Sequence, residues 1–290
     1  MDPICRKYRS ISSECHLNGI VQRYPHFNDF SLKAVLFLAR HGEGYHNTAE
    51  AYYGTPLWNC YWSEQYGNGT TSWVLSSPNF TYRKGPDALL THKGIQQALT
   101  ANAAWKLQLN ASIPLPQTFL SSPLSRAAST LNLTWSDIVL EALPFAKPTF
   151  IESLRESIGL HTCDQRRSKH YLHNHYPAFD FEPGFRETDE LWGPVYQETS
   201  AQQTVRLRGV LDSIWENDAG TYISITAHGG TVAAILANIG HREWSLQTGG
   251  MVPVVVKGTY KGPTRTRTTS LTSATAPSCT ANPSIIPTGI

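Results

Sequence analysis

Two stretches of this chain follow one plan, and they constrain the fold more than any other feature. Residues 34–39, AVLFLA, run directly into Arg40, His41 and Gly42. Residues 221–230, TYISITAHGG, alternate β-branched positions and then reach His228, Gly229 and Gly230. A short apolar run that stops at a glycine predicts a buried strand feeding a loop. Polar and charged groups at the end of such a strand lie where open α/β sheets bind ligands. Taken alone, RHG reads equally as a strand end carrying one surface Arg and one surface His.

The sequence between and after these stretches supplies the other elements. Residues 43–50 open a helix, with Asn47 inside it or at its start. DALLTHKGIQQALTANAAWKLQL, 87–109, predicts a helix capped by Thr91, with Ile95, Ala98, Leu99, Asn102, Ala103 and Leu107 along one mostly apolar stripe. After Pro114 and Pro116, QTFLSS predicts a short strand and SPLSRAASTLNLTWSDI a second helix, with Pro123 near its first turn. Arg126 then falls beside the free N–H groups of a helix start. Residues 200–217 predict a helix with Val205, Val210, Leu211, Ile214 and Trp215 near its buried side, and MVPVVVK, 251–257, a last strand. Strands alternating with helices argue for a mostly parallel sheet covered on both faces.

Other segments lack either periodicity. Residues 1–30 read as an N-terminal extension packing on the body, and residues 51–86, rich in Tyr, Trp, Gly and Asn, as a long structured loop. In that loop Trp58, Tyr61, Trp62, Tyr66 and Trp73 form either a lid wall for an apolar substrate or a satellite cluster that pins the loop down. HYLHNHYPAFDFEPGF, 170–185, reads as a connector. The Thr/Ser/Pro-rich residues 263–290 are too polar to pack and read as a disordered tail, leaving one catalytic domain over 1–262.

A formal net charge of +2 over 290 residues gives no field that would gather nucleic acid or an anionic membrane. Anion recognition therefore has to be local. The five cysteines, Cys5, Cys15, Cys60, Cys163 and Cys279, form no CxxC pair and no disulfide framework. The first residues lack the apolar core of a signal peptide, and no apolar run reaches membrane-spanning length. The sequons at Asn68, Asn79, Asn110 and Asn132 then read as chance tripeptides, and the expected location is cytoplasmic.

Three strand ends thus deliver Arg40 with His41, Arg126, and His228. A phosphoryl dianion suits such a set, because guanidinium groups, imidazoles and helix starts all offer N–H donors to its oxygens. One histidine can attack phosphorus and form a phosphohistidine, while the other stabilises charge on the equatorial oxygens. A leaving alkoxide needs a proton, for which Glu156 and Glu152 are the candidates.

RHG at 40–42 with Asn47, LT..G..QA at 90–98, SSPLSRA at 121–127, LRE at 154–156 and AHGG at 227–230 stand in an order that resembles the histidine phosphatase superfamily. The resemblance is to its phosphoglycerate-mutase-like branch, covers roughly residues 33–258, and extends to fungal members through HTCDQR at 161–166. It implies a three-layer α/β/α sandwich with no metal and no organic cofactor. It also implies His41 as the phosphorylated nucleophile, with Arg40, Arg126 and His228 completing the phosphate pocket, Gly229 beside them and Asn47 lining it. Glu156, in the LRE position, would be the proton donor in preference to Glu152.

Departures from the family refine this. RHGEGYHN and HGG differ from the RHGxRxP and His-Asp pattern of the phytase branch. The acid segment LRESIG differs from the ERHYG type of the mutases, so hydrolysis is expected over mutase-type transfer. Arg166 and Arg167 either grip a distal carboxylate or phosphate or form a solvated basic turn. The substrate expected is a small phosphorylated metabolite, with the aromatic loop hinting at a terpenoid or other secondary-metabolite phosphate. Nothing in the sequence bears on oligomeric state. A metal site built from His161, Cys163, Asp164, His170, His173 and His175 is a rival reading whose spacings match no structural zinc pattern. A non-catalytic phospho-ligand module is another, and it would be expected to lack His41 or the acid.

Overall fold

The computed structural model describes residues 31–60, 86–141 and 147–259. The expected extension over 1–30, the tail over 263–290, and Tyr61, Trp62, Tyr66 and Trp73 lie outside the described residues.

The central sheet has six strands: β1 (Ser31–Arg40), β2 (Thr118–Ser121), β3 (Thr149–Phe150), β4 (Asp180–Phe181), β5 (Tyr222–Ala227) and β6 (Met251–Thr259). Their order across the sheet is β4-β3-β2-β5-β1-β6. All neighbours are parallel except β6, which runs antiparallel to β1 along the edge. The helices are α1 (Tyr45–Tyr53), α2 (Thr55–Cys60), α3 (His92–Asn110), α4 (Ser125–Trp135), α5 (Lys169–His175), α6 (Ser200–Asn217) and α7 (Gly229–Asn238). Among the described residues no helix is long and apolar enough to cross a membrane.

Period-two alternation divides the core into two layers. Leu36 and Leu38 of β1, Leu120, Ile223 and Ile225 pack against Leu207, Val210, Leu211 and Ile214 of α6 and Val232, Ile235 and Leu236 of α7. Phe37, Phe119 and Phe150 face the other way, onto Trp105 of α3, Leu131 and Trp135 of α4 and Leu172 of α5. Helices therefore cover both faces, as the strand–helix alternation requires.

Several expected details shift. On α3 the buried positions are Gly94, Ala98, Asn102 and Trp105, whereas Ile95, Leu99 and Leu107 are exposed. The helix is turned by Asn102, which donates to Thr134 O and Asp137 Oδ1, and by the close backbone approach of Gly94 to the loop after β1. On α6, Leu207 takes the inward place expected of Val205, which is exposed. The start of the expected aromatic loop is helical in α1 and α2, and Trp58 is buried in a small cluster with Ala49, Ala88 and Cys163. Trp58 is thus a pin and not a lid wall. The 170–185 connector carries α5 and β4, because Ser168 caps the helix by accepting from Tyr171 N and Phe179 and Phe181 stack on Phe150.

Candidate active site

Strand register brings the two histidines together. Arg40 of β1 is paired with Ala227 of β5, so His41 and His228, one residue further on, leave the sheet side by side. Their ring centroids are 5.1 Å apart. Ser121 of β2 pairs with Thr226, which sets Ser122 beside His228 Nε2 at 2.7 Å. The cluster lies outside the carboxyl ends of adjacent parallel strands, the expected ligand position in an open α/β sheet.

The loop carrying His41 is held by close backbone packing. A Cβ on Gly42 would overlap the Gly94 carbonyl, and one on Gly94 would overlap the Glu43 carbonyl. Gly42 N donates to Thr130 Oγ1 at 2.9 Å, and Gly249 N to His41 O at 2.9 Å. His41 Nδ1 lies 2.6 Å from Gly42 O. A carbonyl only accepts, so Nδ1 carries the proton and Nε2 keeps its lone pair.

Arginines and a third imidazole complete the ring. Arg126, at the start of α4, is 1% exposed; it donates to Cys163 O at 2.7 Å and to Asp164 Oδ1 at 2.5 Å, and its buried Nε has no partner. Burial, the largest single influence, would lower its pKa, but Asp164, Cys163 and Asp87 together outweigh it and the net direction is upward. Arg40 donates from its guanidinium to Leu246 O at 2.9 Å and leaves Nε unpaired. A Cβ on Gly229 would stand 3.3 Å from Arg40 Cζ, so the glycine lets Arg40 cross the start of α7. His46, in the first turn of α1, is buried with its ring 5.3 Å from that of His41. All three histidines are held well below the ordinary imidazole pKa, first by burial and then by the charge of Arg126. They are neutral at physiological pH.

Glu156 reaches this ring at the start of α7. Its Oε2 accepts from Gly230 N at 3.1 Å and its Oε1 from Gln203 Nε2 at 3.1 Å. Arg40 is a charge neighbour of Glu156. Glu152 is engaged elsewhere: Arg155 bonds it at 3.0 Å and Arg166 at 2.9 Å.

Not every residue singled out from the sequence joins the cluster. The Arg166 guanidinium is buried and donates to Glu152 and to the carbonyls of Arg186, Arg167, Glu187 and Thr188. It is a structural tie and neither of the roles expected of it. Arg167 stacks on Tyr171 at 5.2 Å and keeps a buried, unpartnered Nε. Asn47 Oδ1 accepts from Gly44 N at 3.0 Å and so caps α1. His161, Cys163 and Asp164 do bring their donor atoms within 4.8 Å of one another. A cation there would lie beside the guanidinium that Asp164 neutralises, which makes Asp164 a counter-ion first. His170 and His175 turn to Asn174 and the Tyr171 carbonyl on α5.

Sequence reasoning missed His46, Ser122, Asp164 as the partner of Arg126, and Gln203. His46 stands five residues after His41, a spacing that offers no signal until α1 folds back over the loop.

This fold and this histidine–arginine cluster define a class. Residues 69–250 match the family described as "Histidine phosphatase superfamily (branch 1)", and the chain belongs to it. The match begins downstream of Arg40 and His41, which join the site through β1–β5 register. The chain is 46% identical over 225 residues to "Probable phosphoglycerate mutase" of Arthroderma benhamiae, covering 77% of this chain and 63% of that protein. It is 35% identical over 227 residues to "Phosphomutase-like protein 3" of Candida albicans, covering 78% and 66%. The chain thus spans a little under two thirds of the length of these curated relatives. Among solved structures it is similar to the ecdysone phosphate phosphatase of Bombix mori, at a TM-score of 0.48 and 14% identity over 82% of this chain and 97% of that one.

Proposed function

We propose that the protein hydrolyses a phosphomonoester or phosphoanhydride of a small metabolite through a phosphohistidine on His41. The observation that carries this is the fixed imidazole of His41, whose Nδ1–H is held by Gly42 O while Nε2 keeps a lone pair inside a basic ring. With its pKa held well below 6.5, that lone pair stays unprotonated through neutral and mildly acidic pH.

In this reading Arg40, Arg126 and the unpartnered Nδ1 of His228 hold the phosphoryl oxygens, with Ser122 donating to His228 Nε2. The His41 Nε2 lone pair forms the N–P bond as the bridging P–O bond breaks. Glu156, protonated at that moment, gives its proton to the leaving oxygen. Water then attacks phosphorus, the N–P bond returns its electrons to Nε2, and Glu156 takes the proton of the water. Two guanidinium groups and neutral imidazoles meet the phosphoryl charge, so no metal is required of the step.

Hydrolysis is favoured over transfer to a second phosphorylated site because Arg166, half of the Arg166–Arg167 pair offered as a second anion grip, has its donors committed to Glu152 and backbone carbonyls. The test is release of phosphate from p-nitrophenyl phosphate in EDTA, wild type beside His41→Ala. Release that falls by several orders of magnitude in the variant supports the reading. Release that survives the substitution refutes it.

A further inference from the structure

His46 is the one buried histidine of the cluster that the reaction above leaves without a task. Its Nδ1 is buried and unpartnered, and it faces the backbone of Gly44, where an added Cβ would lie 2.6 Å away. A neutral imidazole carries one proton. A lone pair tolerates the Cα hydrogens of Gly44, whereas an N–H driven against them would be a buried orphan donor. The proton therefore belongs on Nε2, and Nε2 has no hydrogen-bond partner among the described residues. With the ring centroid 5.3 Å from that of His41, and with Arg126, His41 and Arg40 as its principal charge neighbours, His46 stands against the phosphoryl site.

Resting on the reading given above, we infer that His46 is a further catalytic residue, whose Nε2–H donates to a non-bridging oxygen of the phosphoryl group. A donor that meets charge on the phosphoryl oxygens as it grows works mainly in the transition state. Its loss should lower kcat more than it raises KM.

The two amide substitutions separate this role from packing. Glutamine sets an N–H donor near the position of imidazole Nε2, and asparagine sets one near Nδ1. His46→Asn is expected to lose roughly 100-fold in kcat/KM on p-nitrophenyl phosphate and a similar factor in affinity for orthovanadate, measured by calorimetry. His46→Gln is expected to stay within about tenfold of wild type on both readouts, since it restores the donor. In the unmutated protein, long-range proton–nitrogen spectra of histidine-labelled protein read the tautomer directly and should show the proton on Nε2 of His46.

Wild-type behaviour of both variants, equal losses in both, or an Nδ1–H tautomer overturns the inference. These outcomes are distinct from failure of the underlying reading. If the wild type binds vanadate and releases no phosphate, hydrolysis falls while the vanadate arm still decides His46. If it neither binds nor releases, both fall.

Discussion

Replacing Asp164 by Asn tests the electrostatics of the site without changing its shape. Arg126 and Asp164 are paired at 2.5 Å with side-chain exposures of 1% and 8%, so water screens neither charge. The substitution keeps an oxygen for Arg126 to bond and removes only the negative charge. Breaking a buried pair by removing one partner costs about 3–5 kcal/mol, because the remaining charge stays buried and unmatched. At about 2–4 °C per kcal/mol for a domain of this size, the melting temperature should fall by roughly 6–20 °C. On the proposed reading a phosphate dianion on Arg126 would supply the missing charge, so ligand should rescue the variant more than it stabilises the wild type. Phosphate at about 100 times its Kd stabilises the wild type by ~2.7 kcal/mol, and each tenfold gain in affinity adds ~1.4 kcal/mol in the variant. Thermal melts with and without phosphate read both effects. A variant that melts within about 2 °C of wild type, against the roughly 6 °C minimum expected, refutes the reasoning. A large drop that phosphate does not preferentially restore separates Asp164 from the anion site.

Two further outcomes follow from the same contacts. Glu156→Gln should keep the bond from Gly230 N yet slow alkyl phosphates far more than p-nitrophenyl phosphate, whose leaving group needs little protonation. Glu152→Gln should instead lower the melting temperature with little effect on that ratio, since Glu152 serves Arg155 and Arg166; the reverse pattern in steady-state kinetics would move the acid to Glu152. Stability should also fall on acidification. His41, His46 and His228 have folded pKa values below the unfolded 6.5, so the unfolded chain takes up protons first; their contribution is complete above 6.5 and is lost below it. Burial pushes Asp87 up to about 6 from 3.8 despite its bonds from Ser125, so the folded state holds an extra proton between those values and Asp87 offsets one imidazole there. The imidazoles outnumber Asp87, so stability should fall as the pH drops below 6. Urea titrations at pH 7.5, 6 and 5 that give equal stabilities would contradict it.

Local sequence was enough for elements whose signals are local. The apolar runs ending at His41 and His228 marked β1 and β5, and Thr91 caps α3 as its side chain predicts, accepting from Gly94 N at 3.0 Å. Arg40, Arg126 and His228 could be expected at one site because each ends a strand or opens a helix, positions that chain order alone reveals. What the sequence could not rank was which of several similar groups faces the pocket. Glu152 and Glu156 are four residues apart, yet Arg155 and Arg166 claim the first while α7 receives the second. Arg166 and Arg167 are adjacent, and one is tied to three backbone carbonyls 20 to 22 positions away in the chain. His46 and Asp164 enter through contacts with groups as much as 38 positions away. Secondary structure follows from the side chains within a turn or a strand, but the partner of a buried charge is chosen by whatever the fold brings within about 3 Å of it, where low dielectric makes that choice worth several kcal/mol.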